Sequence, residues 1–149
     1  MSLMQKIDED LRAAMKAALS LKVSVLRMAK ASAKNRQIEK GSELSDDEVV
    51  AVLNTLAKQC RESIKQFSGG GREDLAEKER QELEILQSYL PEQMTVEDIE
   101  RIVIDAIRES SAEGIKDMGK VMRLVMPRLH GAADGKIVNQ TVRDLLANR

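Results

Sequence analysis

The sequence predicts an all-α protein made of two helical bundles, and three observations carry that reading. Apolar residues recur at three- and four-residue spacings along the whole chain, as amphipathic helices require. Nowhere does apolar–polar alternation persist long enough for a half-buried strand. A short polar connector with a proline, residues 91–94, separates four helical patterns from three others. The expected units are a four-helix bundle over residues 1–90 and a three-helix bundle over residues 95–149, lengths that can each bury a core.

The first helix is expected over residues 3–18, with Leu3, Ile7, Leu11 and Met15 as its stripe and Ser2 as its cap. The second runs over residues 20–39 and stops at Gly41, which tolerates the left-handed conformation that closes helices. Leu19, Val23 and Leu26 form one apolar face and Leu21, Val25 and Met28 another, as suits a helix with several neighbours. Ser45-Asp46-Asp47-Glu48 reads as a capping box opening the third helix, whose stripe is Val49, Leu53, Leu56, Cys60, Ile64 and Phe67. Gly69-Gly70-Gly71 then breaks the chain. The fourth helix begins near Arg72, keeps its Glu-rich first half in solvent, and buries Leu83, Leu86 and Leu90 before Pro91. Thr95-Val96-Glu97-Asp98 opens the fifth, lined by Val96, Ile99, Val103 and Ala106. The sixth begins near Lys116, turns Met118, Met122, Val125 and Leu129 inward, and should be kinked or ended by Pro127. The seventh, over residues 135–148, points Ile137, Thr141, Val142 and Leu145 inward.

Composition excludes several function classes. Lys and Arg number 24 and Asp and Glu 25, for a net charge of −1, and charged residues make up 33%. That is the balance of a folded chain, not a disordered one. Aromatics are 1%, Phe67 and Tyr89, which argues against single-strand recognition by base stacking, because stacking needs several exposed rings. Cys60 is the single cysteine; it forms no internal disulfide and is expected as a buried, inert thiol. With one His and one Cys, a structural zinc site of four Cys/His ligands is out of reach, so neither metal nor cofactor is expected. No apolar run reaches the roughly 20 residues of a membrane span, so no membrane partner is expected. Residues 1–10 lack the apolar core of a secretory leader, and the expectation drawn from this is a cytoplasmic protein.

Catalytic constellations are thin, and no catalytic residue is assigned. There is no P-loop and no GxGxxG pattern. His130 is expected at the surface near a helix end. The three glycines follow no strand and read as a hairpin turn. Met118, Met122 and Met126 read as core packing at helical spacing, and carboxylates such as Glu77 and Glu84 as a solvated face.

The charge is segregated. Residues 16–40 hold seven basic side chains and one acid, a balance of +6. Residues 92–113 hold two basic and seven acidic ones, −5, and residues 116–143 six basic and two acidic, +4. In the last block Lys116, Lys120 and Arg123 fall opposite the predicted apolar stripe, and Lys136, Asn139 and Arg143 share the outward face of the seventh helix. Such a surface can meet phosphates without reading sequence. Amphipathic helices also carry Lys and Arg outward simply for solubility. Arg27, Lys30 and Lys34 make a second basic face on the second helix, with an internal pairing of Arg27 to an acid of the third or fourth helix as the competing role.

Several separated motifs then resemble one family. Asp117-Met118-Gly119-Lys120-Val121-Met122, Pro127, Gly131-Ala132-Ala133-Asp134-Gly135 and Val138-Asn139 look like the C-terminal signature of YqeY-like proteins. Leu26-Arg27-Met28, Lys58-Gln59, Arg61-Glu62-Ser63, Gly71-Arg72-Glu73-Asp74-Leu75 and Tyr89-Leu90-Pro91-Glu92-Gln93 extend the match through the chain. The family is similar to the tail domain of the B subunit (GatB) of the tRNA-dependent Asp/Glu amidotransferase. The resemblance implies four- and three-helix bundles and a non-catalytic module that docks on tRNA, alone or as an adaptor for amidotransferase or aminoacyl-tRNA synthetase components. Lys116, Lys120, Arg123, Lys136 and Arg143 would meet phosphates, Asn139 would add a hydrogen bond, and Gly119 and Gly131 would permit close backbone approach. Ala132 departs from the family pattern, which usually has Lys or Arg there, so one phosphate contact is missing. A protein-interaction module without RNA contact is the alternative. A carbon–nitrogen ligase using glutamine as amido donor is the weakest, because the chemistry of that enzyme lies outside its tail.

Overall fold

The computed structural model describes residues 1–148. It contains α1 (Leu3–Lys16), α2 (Ser20–Lys40), α3 (Asp46–Gly69), α4 (Glu73–Gln87), α5 (Val96–Ser110), α6 (Met118–Leu129) and α7 (Gly135–Ala147), with a single 3₁₀ turn, Ile115–Asp117, before α6. Among the described residues there is no strand, so the fold is all-α. The chain forms two compact units, one of residues Met1–Leu90 and one from Pro91 onward.

In the N-terminal unit, local chemistry sets the helix ends. Ser2 and Ser45 each accept from the backbone N–H three residues on, and Gln5 and Glu48 return the bond to the cap's own N–H. α2 closes on Gly41 at φ +81°. α1 stops short of its expected end: Ala17 caps it and Ala18 turns left-handed at φ 55°. That conformation costs an L-residue about 1–2 kcal/mol. Ala18→Gly is therefore expected to raise the melting temperature, relief of strain outweighing the roughly 0.5–1 kcal/mol of extra chain entropy that glycine brings. A thermal melt followed by circular dichroism checks it.

The core of this unit joins Ile7 and Leu11 of α1, Val25, Leu26 and Ala29 of α2, Val49, Leu53, Leu56 and Cys60 of α3, and Leu86 with Tyr89 at the end of α4. α2 packs on α1, α3 and α4, so it does have several neighbours. Its buried surface differs from the expected pair of faces, because Leu19 and Met28 are exposed while Ala29 and Ala33 are buried. Small side chains let the helices approach closely, and the larger ones are left outside. The same happens on α1, where Ala14 is buried and Met15 is half exposed. It happens again on α4, whose Glu-rich start contains the fully buried Ala76. Ile64 and Phe67, expected inward, are only half-buried. The three glycines close the α3–α4 hairpin: Gly71 lies at φ +75°, and the Arg72 N–H donates to the Phe67 carbonyl at 2.8 Å.

Two polar ties brace the unit. The Tyr89 hydroxyl donates to Asp10 Oδ2 at 2.5 Å, and burial together with that carboxylate pushes the phenol well above its usual range. Lys40 Nζ donates to Glu48 Oε1 at 2.6 Å, joining the end of α2 to the start of α3. This bond, followed by the Ser45 N–H, lowers the Glu48 carboxyl from 4.5 to about 2. A depressed carboxylate stabilises the fold above its unfolded value and loses that effect as pH falls through the folded one. The stability gap between the native chain and Glu48→Gln should thus hold above pH 4.5 and close as pH falls towards 2. Urea melts across that range measure it.

In the C-terminal unit, Thr95 and Asp98 form a third capping box, at the start of α5. The core is Ile99, Val103, Ala106 and Ile107 of α5, Val121, Val125 and Leu129 of α6, and Val138, Val142 and Leu146 of α7. Each of the three helices packs against the other two. Val96, expected inward, is exposed in the first turn of α5. On α6 the fully buried Val121 joins the stripe, and Met118 and Met122 pack half-buried at its margin. On α7 the register shifts by one residue: Val138 replaces Ile137, which is 45% exposed. Pro127 does not end α6. It sits in the last turn and removes only its own bond to the Arg123 carbonyl, so the helix continues to Leu129 and closes at left-handed His130.

Candidate nucleic-acid interface

The basic residues singled out from the sequence divide into those the fold leaves at the surface and those it ties down. Lys116 lies in the 3₁₀ turn, Lys120 and Arg123 on α6, and Lys136, Asn139 and Arg143 on α7, all exposed. None of these five cations makes an ion pair among the described residues. The Lys120 ammonium makes one long contact, to the Ser110 carbonyl at 3.4 Å. Arg128, outside the stripe, is held by Glu109 of α5. The two acids inside the basic block are occupied locally. Asp117 accepts from the Glu113 N–H at 2.9 Å, and Asp134 caps α7 by accepting from the Lys136 N–H at 2.9 Å. The block's negative charge is thereby spent on loop and helix geometry, while its cations face solvent.

On α6 the expected arrangement holds for two of the three: Lys120 and Arg123 project opposite Val121, Val125 and Leu129, while Lys116 lies in the 3₁₀ turn before the helix. On α7 it is not. With the buried stripe moved to Val138, Val142 and Leu146, the Lys136, Asn139 and Arg143 row sits about 90° from the stripe, at the flank of the helix. Gly119 is exposed on α6, and a Cβ there would meet nothing within 4 Å, so packing does not demand glycine. Gly131 follows His130 at φ +75°, where the turn itself favours glycine. Ala132 is buried: its N–H donates to the Leu129 carbonyl at 2.9 Å, and its own carbonyl accepts from the Met94 N–H at 2.8 Å. This loop is a structural latch to the start of the unit.

The second basic face is broken up. Lys30 Nζ lies 2.9 Å from Asp8 Oδ1, an ion pair without hydrogen-bond geometry. Lys30 and Lys34 line an open groove beside α1, whereas Arg27 lines a shallow hollow with Met15 and Val23. The competing role for Arg27 is not found either, since among the described residues it makes no ion pair with α3 or α4. His130 is exposed at the α6 end, as expected, and Cys60 is buried, with its thiol pushed up to about 12 by burial and by Glu79.

Fold and surface together define a class: an all-α helical module whose C-terminal unit carries exposed cations that make no ion pair among the described residues. The chain belongs to the YqeY-like family, whose profile, described as "Yqey-like protein", matches residues 4–146. It is 28% identical over 144 residues to "Altered inheritance of mitochondria protein 41, mitochondrial" of Pyrenophora tritici-repentis, covering 95% of this chain and 79% of that one. The protein of the same name from Vanderwaltozyma polyspora is 34% identical over 85 residues, 56% of this chain and 46% of that one. A glutamyl-tRNA(Gln) amidotransferase subunit of Methanococcus maripaludis is 37% identical over 70 residues, 44% of this chain and 11% of that protein.

The expectation of a cytoplasmic protein is corrected by these relatives, since those from Pyrenophora and Vanderwaltozyma are named mitochondrial. It rested on the missing apolar core of a secretory leader. Mitochondrial leaders are amphipathic and Arg-rich instead, so that reasoning does not bear on this compartment.

Proposed function

We propose that the chain is a non-catalytic tRNA-docking module, acting alone or as an adaptor for an enzyme that charges or amidates tRNA. The observation that carries this reading is the row Lys116, Lys120, Arg123, Lys136 and Arg143, exposed and without ion-pair partners among the described residues. Unpaired cations on rigid helices release counterions when they meet a phosphate backbone, and that release drives binding. Open space at Gly119 lets a backbone come close beside Lys120. With Phe67 and Tyr89 as the only aromatic side chains, recognition rests on phosphates and shape, and base stacking plays little part. Similarity to the Methanococcus maripaludis tRNA amidotransferase protein supports the choice of tRNA as the ligand.

A titration of tRNA with the purified chain across salt concentrations tests the proposal. Binding at low salt that weakens linearly in the logarithm of salt is the expected result. No binding at low salt overturns it and leaves the alternative of a protein-interaction module, which partners that survive nuclease treatment would support.

A further inference from the structure

The seam between α3 and α4 brings together three side chains that lie far apart in sequence. Cys60 is 4% exposed, and Glu79 and Glu82, half-buried, stand one turn apart on α4. The cysteine Sγ and one oxygen from each carboxylate all lie within 4.8 Å of one another. Among the described residues neither carboxylate has a Lys or Arg in ion-pair contact, although Glu73, Asp74 and Glu77 of the same helix each have an arginine. Three groups that become anionic on losing a proton therefore converge at the edge of an apolar core, hydrogen-bonded through Glu79 to one another, with Lys78 and Arg61 acting on them from beyond ion-pair contact.

We propose that this cluster binds one borderline divalent cation of the zinc class, with Cys60 Sγ and one oxygen each from Glu79 and Glu82 as ligands and an open fourth position for water. Tetrahedral zinc with sulfur at about 2.3 Å and oxygen at about 2.1 Å sets sulfur and oxygen roughly 3.6 Å apart. The cluster must contract by about an ångström, from separations of up to 4.8 Å. The long, half-exposed glutamates can make that movement by changing rotamer, while the buried thiol stays fixed. A thiolate ligand favours zinc over the hard cations magnesium and calcium. On binding, the S–H bond breaks, the proton leaves to solvent and the sulfur–metal bond forms, with no change of oxidation state. Counting only Cys and His hides this set in the sequence, because two of its ligands are carboxylates.

The test adds zinc, and separately cobalt, to the reduced, metal-stripped full chain at pH 8. Expected are one zinc per chain, a higher melting temperature that saturates with zinc, and a thiolate-to-cobalt charge-transfer band. C60A should lose the band, and E79Q with E82Q should bind zinc on the order of tenfold or more weakly, the scale seen when metal sites lose supporting groups. Both glutamates are half-buried, so the double variant keeps the test open if C60A fails to fold. A folded native chain with no cobalt–thiolate band overturns the proposal. So does zinc uptake that is unchanged in the glutamate variant.

Discussion

Leu53→Ala is expected to destabilise the N-terminal unit by about 2–5 kcal/mol, the range for truncating a fully buried leucine. Leu53 is 1% exposed on α3, the helix that meets α1, α2 and α4. The lost methyl groups leave a void that the surrounding core cannot fill without moving four packed helices. A small domain has about 5–15 kcal/mol in total, so the loss is a large fraction of it. Chemical denaturation followed by circular dichroism measures the change. Amide exchange localises it: protection should fall over residues 1–90, while the amides around Val103, Val121 and Val138 keep theirs, because those residues belong to a separate core. A loss well below 1 kcal/mol would mean that the core is not packed as described.

The second large effect concerns tRNA binding. Lys120→Glu combined with Arg123→Glu is expected to weaken binding on the order of tenfold or more and to flatten the salt dependence by about 1.8, at roughly 0.9 per lost phosphate contact on duplex-like nucleic acid. Both side chains are exposed and outside any ion pair among the described residues, so helical content should not change. Arg101→Glu is the control. Arg101 is also exposed, lies on α5 and pairs with Asp98. It alters net charge by as much as one of the two reversals without touching the row. If the control and the double variant shift the slope equally per charge, the contact is diffuse and the row on α6 is not the interface.

Much of this molecule is legible in its sequence, and the boundary of legibility is physical. Caps are local, so Ser45 with Glu48, Thr95 with Asp98 and the Gly41 stop can all be read from a few consecutive residues. The α3 stripe from Val49 to Cys60 can be read for the same reason, though not its continuation to Ile64 and Phe67. Which of two adjacent apolar residues goes inside cannot. Ile137 and Val138 are both hydrophobic, and the choice depends on where α5 and α6 stand. Alanine is similarly silent: Ala14, Ala33 and Ala76 are buried because neighbouring helices come close. At the candidate interface, exposure of the cations follows from periodicity, but their availability does not. Lys30 is taken by Asp8 and Arg128 by Glu109, partners 22 and 19 residues away, and no helical spacing announces such pairs.

The placement of Tyr89 against Asp10 has a consequence for how this protein can be watched. Both aromatic side chains, Phe67 and Tyr89, belong to the N-terminal unit, and residues 91–149 carry none. Intrinsic fluorescence and near-ultraviolet dichroism are therefore reporters of one half of the molecule. A melt followed by tyrosine emission registers the parting of α1 from the end of α4 and is blind to everything around the basic row. A single smooth transition seen that way carries no information on how many cooperative steps the chain takes. A tryptophan introduced at exposed Ile137 would give the C-terminal unit a signal of its own.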